Sequence, residues 1–253
     1  MYEKYLNFAV KKIGNMAKDF YLVVTAGGSG TRMGADRPKQ FLAFDGVPVL
    51  RKTISRFVEA WPGVRIVTVL PKEWLSWWRT YCLEKNFSVP QILVAGGITR
   101  FHSVRNALAR VPDGAVVAIH DGVRPFVSVP FLRSMAACME DGRRALVPVL
   151  PSTDTLVALR SGENGLEPIA DRILDRSEIW RVQTPQLFLS EDLKAAYRQP
   201  YDPAFTDDGS VAAAYGIPLT FCEGERFNIK LTTPEDMLLA RALQAVREDR
   251  PIS

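Results

Sequence analysis

This sequence predicts an α/β domain: a mostly parallel, twisted sheet with helices on both faces and a protruding β-hairpin arm. Three observations carry the prediction. Apolar runs of strand length recur, and several are apolar at nearly every position, as in parallel strands covered on both sides. Helical patterns fall between them, so strand and helix alternate. One polar segment, at about 151–176, interrupts the alternation and carries the turn sequence SGENG between two short extended halves. At 253 residues, with 47% hydrophobic and 24% charged residues, the chain can bury one large core.

Taken in order, residues 1–19 read as an N-terminal appendage and 20–253 as a single domain. The appendage has lysines but neither a continuous apolar core nor a small-residue cleavage site, so it is not a secretory signal. Strands are expected at YLVV (21–24), VRIVTVL (64–70), QILVA (91–95), AVVAIH (115–120), ALVPVL (145–150) and IPLTF (217–221). Helices are expected at 49–61, 99–111 and 130–141. Trp74, Trp77 and Trp78 share one helical face and read as packing residues. Ser190 precedes EDLKAAY as an N-cap, and Thr233, Pro234 and Asp236 stand at N-cap, N1 and N3 of a final helix. The 151–176 hairpin is too thin to bury much alone and should pack on something else.

Charge and cysteine usage narrow the partners. A formal charge of +4 suits small polyanions, but no dense Lys/Arg block points to nucleic acid. No run approaches the roughly 20 apolar residues that span a bilayer. Cys82, Cys138 and Cys222 are far apart in sequence, an odd set without metal-ligand spacing, which predicts reduced thiols in a cytoplasmic protein.

The chemistry starts at TAGGSGTRMGADRPKQF (25–41). Its glycines, directly after a strand, let backbone N–H groups approach an anion. A Walker loop is ruled out because no Gly-Lys pair precedes Ser or Thr, and the dinucleotide fingerprint fails because Met33 stands where its last glycine should be. A strand-to-helix turn without a ligand is the plainer alternative. Arg32 and Lys39 in the same loop weigh against it and suit a triphosphate. Asp121, in HDGVRP, projects from the carboxyl end of a strand, where open α/β sheets bind ligands, and beside a triphosphate would hold Mg²⁺. A buried structural Asp–Arg pair is the alternative for Asp121 and Arg124. His102 and His120 have no nucleophile partner visible in the sequence and read as structural.

Together AGGSGTRMG, RPKQF, GGITRFHSVRNAL (96–108), HDGVRPF (120–126), DTL (154–156), WRVQTPQLF (180–188), FTDDGS (205–210) and FNIKLTTPEDM (227–237) resemble a family of Rossmann-like nucleotidyltransferases. It is the 2-C-methyl-D-erythritol 4-phosphate cytidylyltransferase family of the non-mevalonate isoprenoid pathway, and the resemblance covers residues 20–247. It implies that CTP and a sugar-alcohol phosphate are the substrates. Ala26, Gly27, Gly28, Gly30, Gly97 and Ser103 would hold the nucleotide, with the cytosine wrapped by Ala26, Gly97, the amide after it and the Ser103 hydroxyl. Ile98 and Phe101 stand where that family often has polar side chains, so only backbone contacts carry over at those positions. Asp121, Arg124, Thr155, Arg176, Thr184 and Thr206 would bind the acceptor, whose phosphomonoester suits a guanidinium fork and hydroxyls. Arg32, Lys39 and Lys230 would be the catalytic cations. The arm would reach into a second copy of the chain, so that Thr155 and Arg176 complete the partner's site in a homodimer.

The implied reaction is an in-line attack by the acceptor's phosphate oxygen on the α-phosphorus of CTP, releasing pyrophosphate. The attacker is already an anion, so positioning and charge neutralisation suffice. Ribitol 5-phosphate cytidylyltransferases share AGG-x-GTRMG, PKQF, HD-x-VRPF and FNIK and are the nearest rival reading. A non-catalytic nucleotide-binding protein is the rival of another class; Arg32, Lys39, Asp121 and Lys230 argue against it.

Overall fold

The computed structural model describes residues 18–28, 37–162, 165–169 and 174–249. Gly30 and Arg32 lie outside those residues, as does the N-terminal segment up to Ala17. The strands are β1 (Phe20–Thr25), β2 (Ala43–Phe44), β3 (Val47–Pro48), β4 (Arg65–Leu70), β5 (Gln91–Ala95) and β6 (Val116–Asp121). They continue with β7 (Ala145–Pro151), β8 (Leu159–Gly162), β9 (Gly165–Pro168), β10 (Trp180–Val182), β11 (Gln186–Leu189) and β12 (Thr220–Glu223). The α-helices are α1 (Val49–Ala60), α2 (Leu75–Glu84), α3 (Arg100–Leu108), α4 (Val129–Glu140), α5 (Ser190–Ala196), α6 (Asp208–Ala214) and α7 (Pro234–Asp249).

Parallel strands β5, β4, β1 and β6 form one half of the sheet. Beyond β6 the order continues with β11, antiparallel to both neighbours, and then β7. Strand β10 shares one side of β7 with β11, and β12 runs parallel along the other side. Val182 faces Val149 while Leu187 faces Leu146, so the four residues 183–186 oppose the two residues 147–148 and Gln183–Pro185 bulge out of the ladder. The Thr184–Pro185 peptide in that bulge is cis.

Alternation along β1 assigns its side chains to two cores. Leu22 and Val24 join Phe57, Trp61, Trp78, Leu132 and Met135 beneath α1, α2 and α4. Tyr21 and Val23 join Phe101, Val104, Leu193 and Val211 beneath α3, α5 and α6. Helices therefore cover both faces, which is why the strands between them are apolar throughout. A third, smaller cluster (Phe44, Val49, Val123, Phe126, Leu231, Met237, Ala240) seats α7 against the segment that follows β6.

The expected strands and helices are present with ends shifted by one to three residues, and three details differ. The last strand begins at Thr220, not Ile217. Ser190 is the first helical residue of α5 rather than its cap, because its hydroxyl accepts the Ala115 N–H at 3.1 Å. The short β2–β3 hairpin was not expected; Asp45 and Gly46 turn it with positive φ of 53° and 71°, a conformation that Asp tolerates and Gly favours. The polar segment does form a hairpin, with Leu159 opposite Pro168 and Ser161 opposite Leu166. Trp74, Trp77 and Trp78 pack against Phe41.

Candidate active site

Strands β1 and β6 end side by side, with Thr25 paired to Asp121, and the chain leaves both at the carboxyl edge of the sheet. After Thr25 the Ala26 amide stays in register with β4, donating to the Val69 carbonyl at 2.9 Å. Gly27 and Gly28 are exposed, and their N–H groups take no acceptor among the described residues. Such amides are ready to meet an anion. Buried Gln40 fixes the other side of this backbone: its Nε2 donates to the carbonyls of Ala26 (2.6 Å) and Gly28 (3.3 Å).

A second glycine pair faces the first. Gly96 follows β5 and donates to the Leu70 carbonyl at 2.8 Å. The buried Ser103 hydroxyl accepts the Gly97 N–H at 3.0 Å and donates to the Thr99 carbonyl at 3.0 Å. Thr99 caps α3 by accepting the His102 amide. A side chain at Gly97 would collide with His102, so only glycine permits this tight turn. Gly27, Gly96 and Gly97 thus converge on one hydroxyl, and the two bare backbones pass so close that a Cβ on Gly96 would stand 3.9 Å from the Gly27 Cα.

Asp121 is the electrostatic centre of the cleft. Its Oδ2 pairs with Arg124 Nε (3.2 Å) and Lys230 Nζ (3.0 Å), and its Oδ1 lies 3.9 Å from Arg100 Nε. Burial alone would raise this carboxyl's pKa, but Arg100, Lys230 and Arg124 outweigh it and hold the group well below the ordinary carboxylate range. Arg100 is shared: its guanidinium grips the fully buried Asp208 with two bonds, of 3.1 and 2.6 Å. Tyr197 donates to the same carboxylate at 2.6 Å. Burial acts to lower the Arg100 pKa, yet Asp208 and then Asp121 hold it above the usual range.

Behind Asp121 runs a chain of bonds whose partners settle each proton. The Asp121 N–H donates to Thr184 Oγ1 (3.1 Å), and His120 Nε2 faces the Arg124 carbonyl (3.1 Å). A carbonyl only accepts, so His120 carries its proton on Nε2 and its Nδ1 accepts from the Thr184 hydroxyl at 3.1 Å. Burial lowers the His120 pKa to about 4, so the ring is neutral near pH 7. Asn228 ties in the FNIK segment, giving its carbonyl to Arg124 Nη1 (2.8 Å) and its side-chain amide to the Thr184 carbonyl (2.8 Å). Gln183 grips the same segment through Glu225.

The structure therefore brings Ala26, Gly27, Gly28, Gly97, Ser103, Asp121, Arg124 and Lys230 to one edge, with half-buried Lys39 opening the three-residue turn that carries Gln40. Thr184 is 5% exposed and its hydroxyl is committed to Asp121 and His120, so it supports the site from behind. Thr206 is exposed just before α6, whose cap is Asp207. Thr155 and Arg176 are exposed along the arm, and neither bonds to the Asp121 cluster of its own chain. Sequence reasoning passed over Arg100, Asp208 and Gln40. An arginine in a helix's first turn opposes the helix dipole and signals an acidic partner. FTDDGS also offers one acid more than a cap requires. Gln40 gave no such signal, since its partners are backbone atoms.

A sequence profile of the 2-C-methyl-D-erythritol 4-phosphate cytidylyltransferases (IspD) matches residues 20–245. The chain belongs to this family. Relatives of that name include one from Porphyromonas gingivalis, 47% identical over 232 residues that cover 90% of this chain and 99% of the relative. Another, from Bacteroides thetaiotaomicron, is 44% identical over 222 residues, covering 88% and 98%. The crystal structure of the Thermus thermophilus cytidylyltransferase superposes with a TM-score of 0.66 at 28% identity, covering 90% of this chain and 99% of that one. The cytidylyltransferase match begins at Phe20, the first residue of β1, and ends inside α7. It thus takes in both glycine pairs, the Asp121 cluster, the arm and Lys230. Among the described residues no helix is long and apolar enough to cross a membrane.

Proposed function

We propose that this chain transfers CMP from CTP to 2-C-methyl-D-erythritol 4-phosphate, giving 4-diphosphocytidyl-2-C-methyl-D-erythritol and pyrophosphate. One observation carries the chemistry. At the end of β6 the buried Asp121 carboxylate is surrounded by Arg100, Arg124 and Lys230, beside glycine amides that take no acceptor among the described residues. That positive excess fits a triphosphate and a phosphomonoester meeting at one point. The acceptor phosphate is the nucleophile and needs no base. His120 could not serve as one, because both ring nitrogens are engaged in the interior.

In this reading the base rests against the two glycine pairs, and the Gly27 and Gly28 amides meet the phosphates. Lys39, Lys230 and Arg32 neutralise the charge that develops at the α-phosphorus. Arg124 and Asp121 face the acceptor. Among the described residues no three His, Cys, Asp or Glu side chains converge, and Asp121 already has cationic partners. A divalent cation such as Mg²⁺ therefore fits when the triphosphate supplies most of its oxygen ligands and Asp121 supplies one, the habit of magnesium at nucleotide sites. When bound it would supply positive charge that offsets the charge of the phosphates. Leu159, Leu166, Val157 and Trp180 leave apolar surface on and beside the arm, which supports a homodimer in which Thr155 and Arg176 reach the partner's acceptor.

Pyrophosphate release tests the reading. Protein, Mg²⁺ and CTP are mixed with methylerythritol phosphate or with ribitol 5-phosphate. Release with the first acceptor is expected. Release with the second alone would assign the chain to ribitol chemistry, and release with neither would leave a nucleotide-binding protein.

A further inference from the structure

Lys39, Gln40 and Phe41 form one 3-10 turn, closed by the Phe41 amide on the Pro38 carbonyl at 2.9 Å and the Leu42 amide on the Lys39 carbonyl at 3.2 Å. Its three side chains are oriented by three different environments. Phe41 is 3% exposed and sits among Trp74, Trp77 and Trp78, with ring centroids 5.2, 4.7 and 6.0 Å away. Arg37, two residues before Lys39, lies over the Trp77 ring at 5.6 Å. Gln40, 1% exposed, aims its amide back at the Ala26 and Gly28 carbonyls.

We infer that Gln40 is a positioning residue for the nucleotide, and that the tryptophan helix sets Gln40 in place through Phe41. A peptide unit whose carbonyl is held on one side presents its amide to the other. By fixing the carbonyls of Ala26 and Gly28, Gln40 holds the glycine backbone open toward the cleft. An exposed glycine stretch would otherwise sample many conformations. The Trp74, Trp77 and Trp78 rings are thus more than core filling: they hold the turn that offers Lys39 on one side and Gln40 on the other. The inference rests on the assignment of this cleft to CTP.

The test separates nucleotide from acceptor. Gln40→Met keeps length and apolar bulk but removes the donor. It should weaken equilibrium binding of CTP with Mg²⁺, and raise KM for CTP, by at least ~10-fold, in line with the cost of small misplacements in a pocket. KM for the alcohol phosphate should stay within about threefold and the melting midpoint near that of the wild type. Gln40→Glu sets a carboxylate against two carbonyl oxygens, so its CTP affinity relative to wild type should recover as pH falls and the group gains a proton to donate. Trp77→Ala should reproduce the CTP defect and Trp77→Phe should rescue it. Wild-type CTP affinity in Gln40→Met, or equal rises in both KM values, would overturn the inference. Wild-type protein that binds CTP but turns over neither acceptor refutes the catalytic assignment alone and leaves the binding arm decisive. A wild type that does not bind CTP overturns both.

Discussion

His120 is fully buried next to the end of β6, and that burial keeps its ring neutral. Its pKa is about 4 in the folded state against an ordinary value near 6.5. Between those values the unfolded chain takes up a proton that the folded chain refuses. Stability from this source is therefore complete above pH 6.5 and is lost as pH falls toward 4. Denaturant titration at pH 7 and pH 5 should differ by about 2 kcal/mol from this group. In His120→Gln that difference should shrink; an unchanged slope would mean that other groups govern the pH range. Lys39 makes a second prediction. Lys39→Ala should lower turnover by at least ~10²-fold with the melting midpoint retained, as lost transition-state charge does; near-normal turnover in a single-turnover assay would remove it from the chemistry. Both residues were open to sequence reasoning, the lysine through its loop and the histidine through its apolar strand. Gln40 was not, because its partners are backbone carbonyls 12 to 14 residues away, and for Asp208 the surplus acid was visible while its partner, 108 residues away, was not.

Helices α3 and α6 meet through their first turns, and the Arg100–Asp208 fork is the joint. Asp208 is fully buried, so a variant that removes only the guanidinium leaves an uncompensated charge inside. Arg100→Met should cost about 3–5 kcal/mol in urea unfolding. Arg100→Met combined with Asp208→Asn should recover most of that loss, since the amide oxygen still accepts from Tyr197 and no charge remains. Additive losses in the double variant would show that the pair holds no shared energy. The elements joined here were legible to different degrees. Parallel strands β1, β4, β5 and β6 could be read because both faces are covered and their composition shows it. Strand β10 could not: Trp180, Arg181 and Val182 are all exposed, and they pair only because β7 offers them an edge. The Gln183–Pro185 bulge was equally hidden, because it is defined by register against β7 rather than by its own residues.

At the scale of the whole molecule the arm is the feature that one chain does not explain. A two-stranded hairpin is marginal alone, and among the described residues β8 pairs only with β9. Leu159 and Leu166 are exposed on it, as are Val157 before it and Trp180 after it. Arg176 stands exposed on the return path. If two copies exchange arms, each site takes Lys39 from one chain and Arg176 from the other. That geometry can be tested by complementation. Lys39→Ala and Arg176→Ala homodimers should each be strongly impaired. Unfolded together in equal amounts and refolded, they should regain about a quarter of wild-type activity, since half the dimers are mixed and one site in each carries both side chains. Arms that serve their own chain leave every mixed site with a lesion, so mixing would restore nothing. Leu166→Asp gives the independent readout. A charge on the arm's apolar surface should shift the sedimenting species from dimer to monomer and reduce activity with it, most sharply at low protein concentration. An active monomer at every concentration would return Arg176 to the solvent-exposed surface on which it stands.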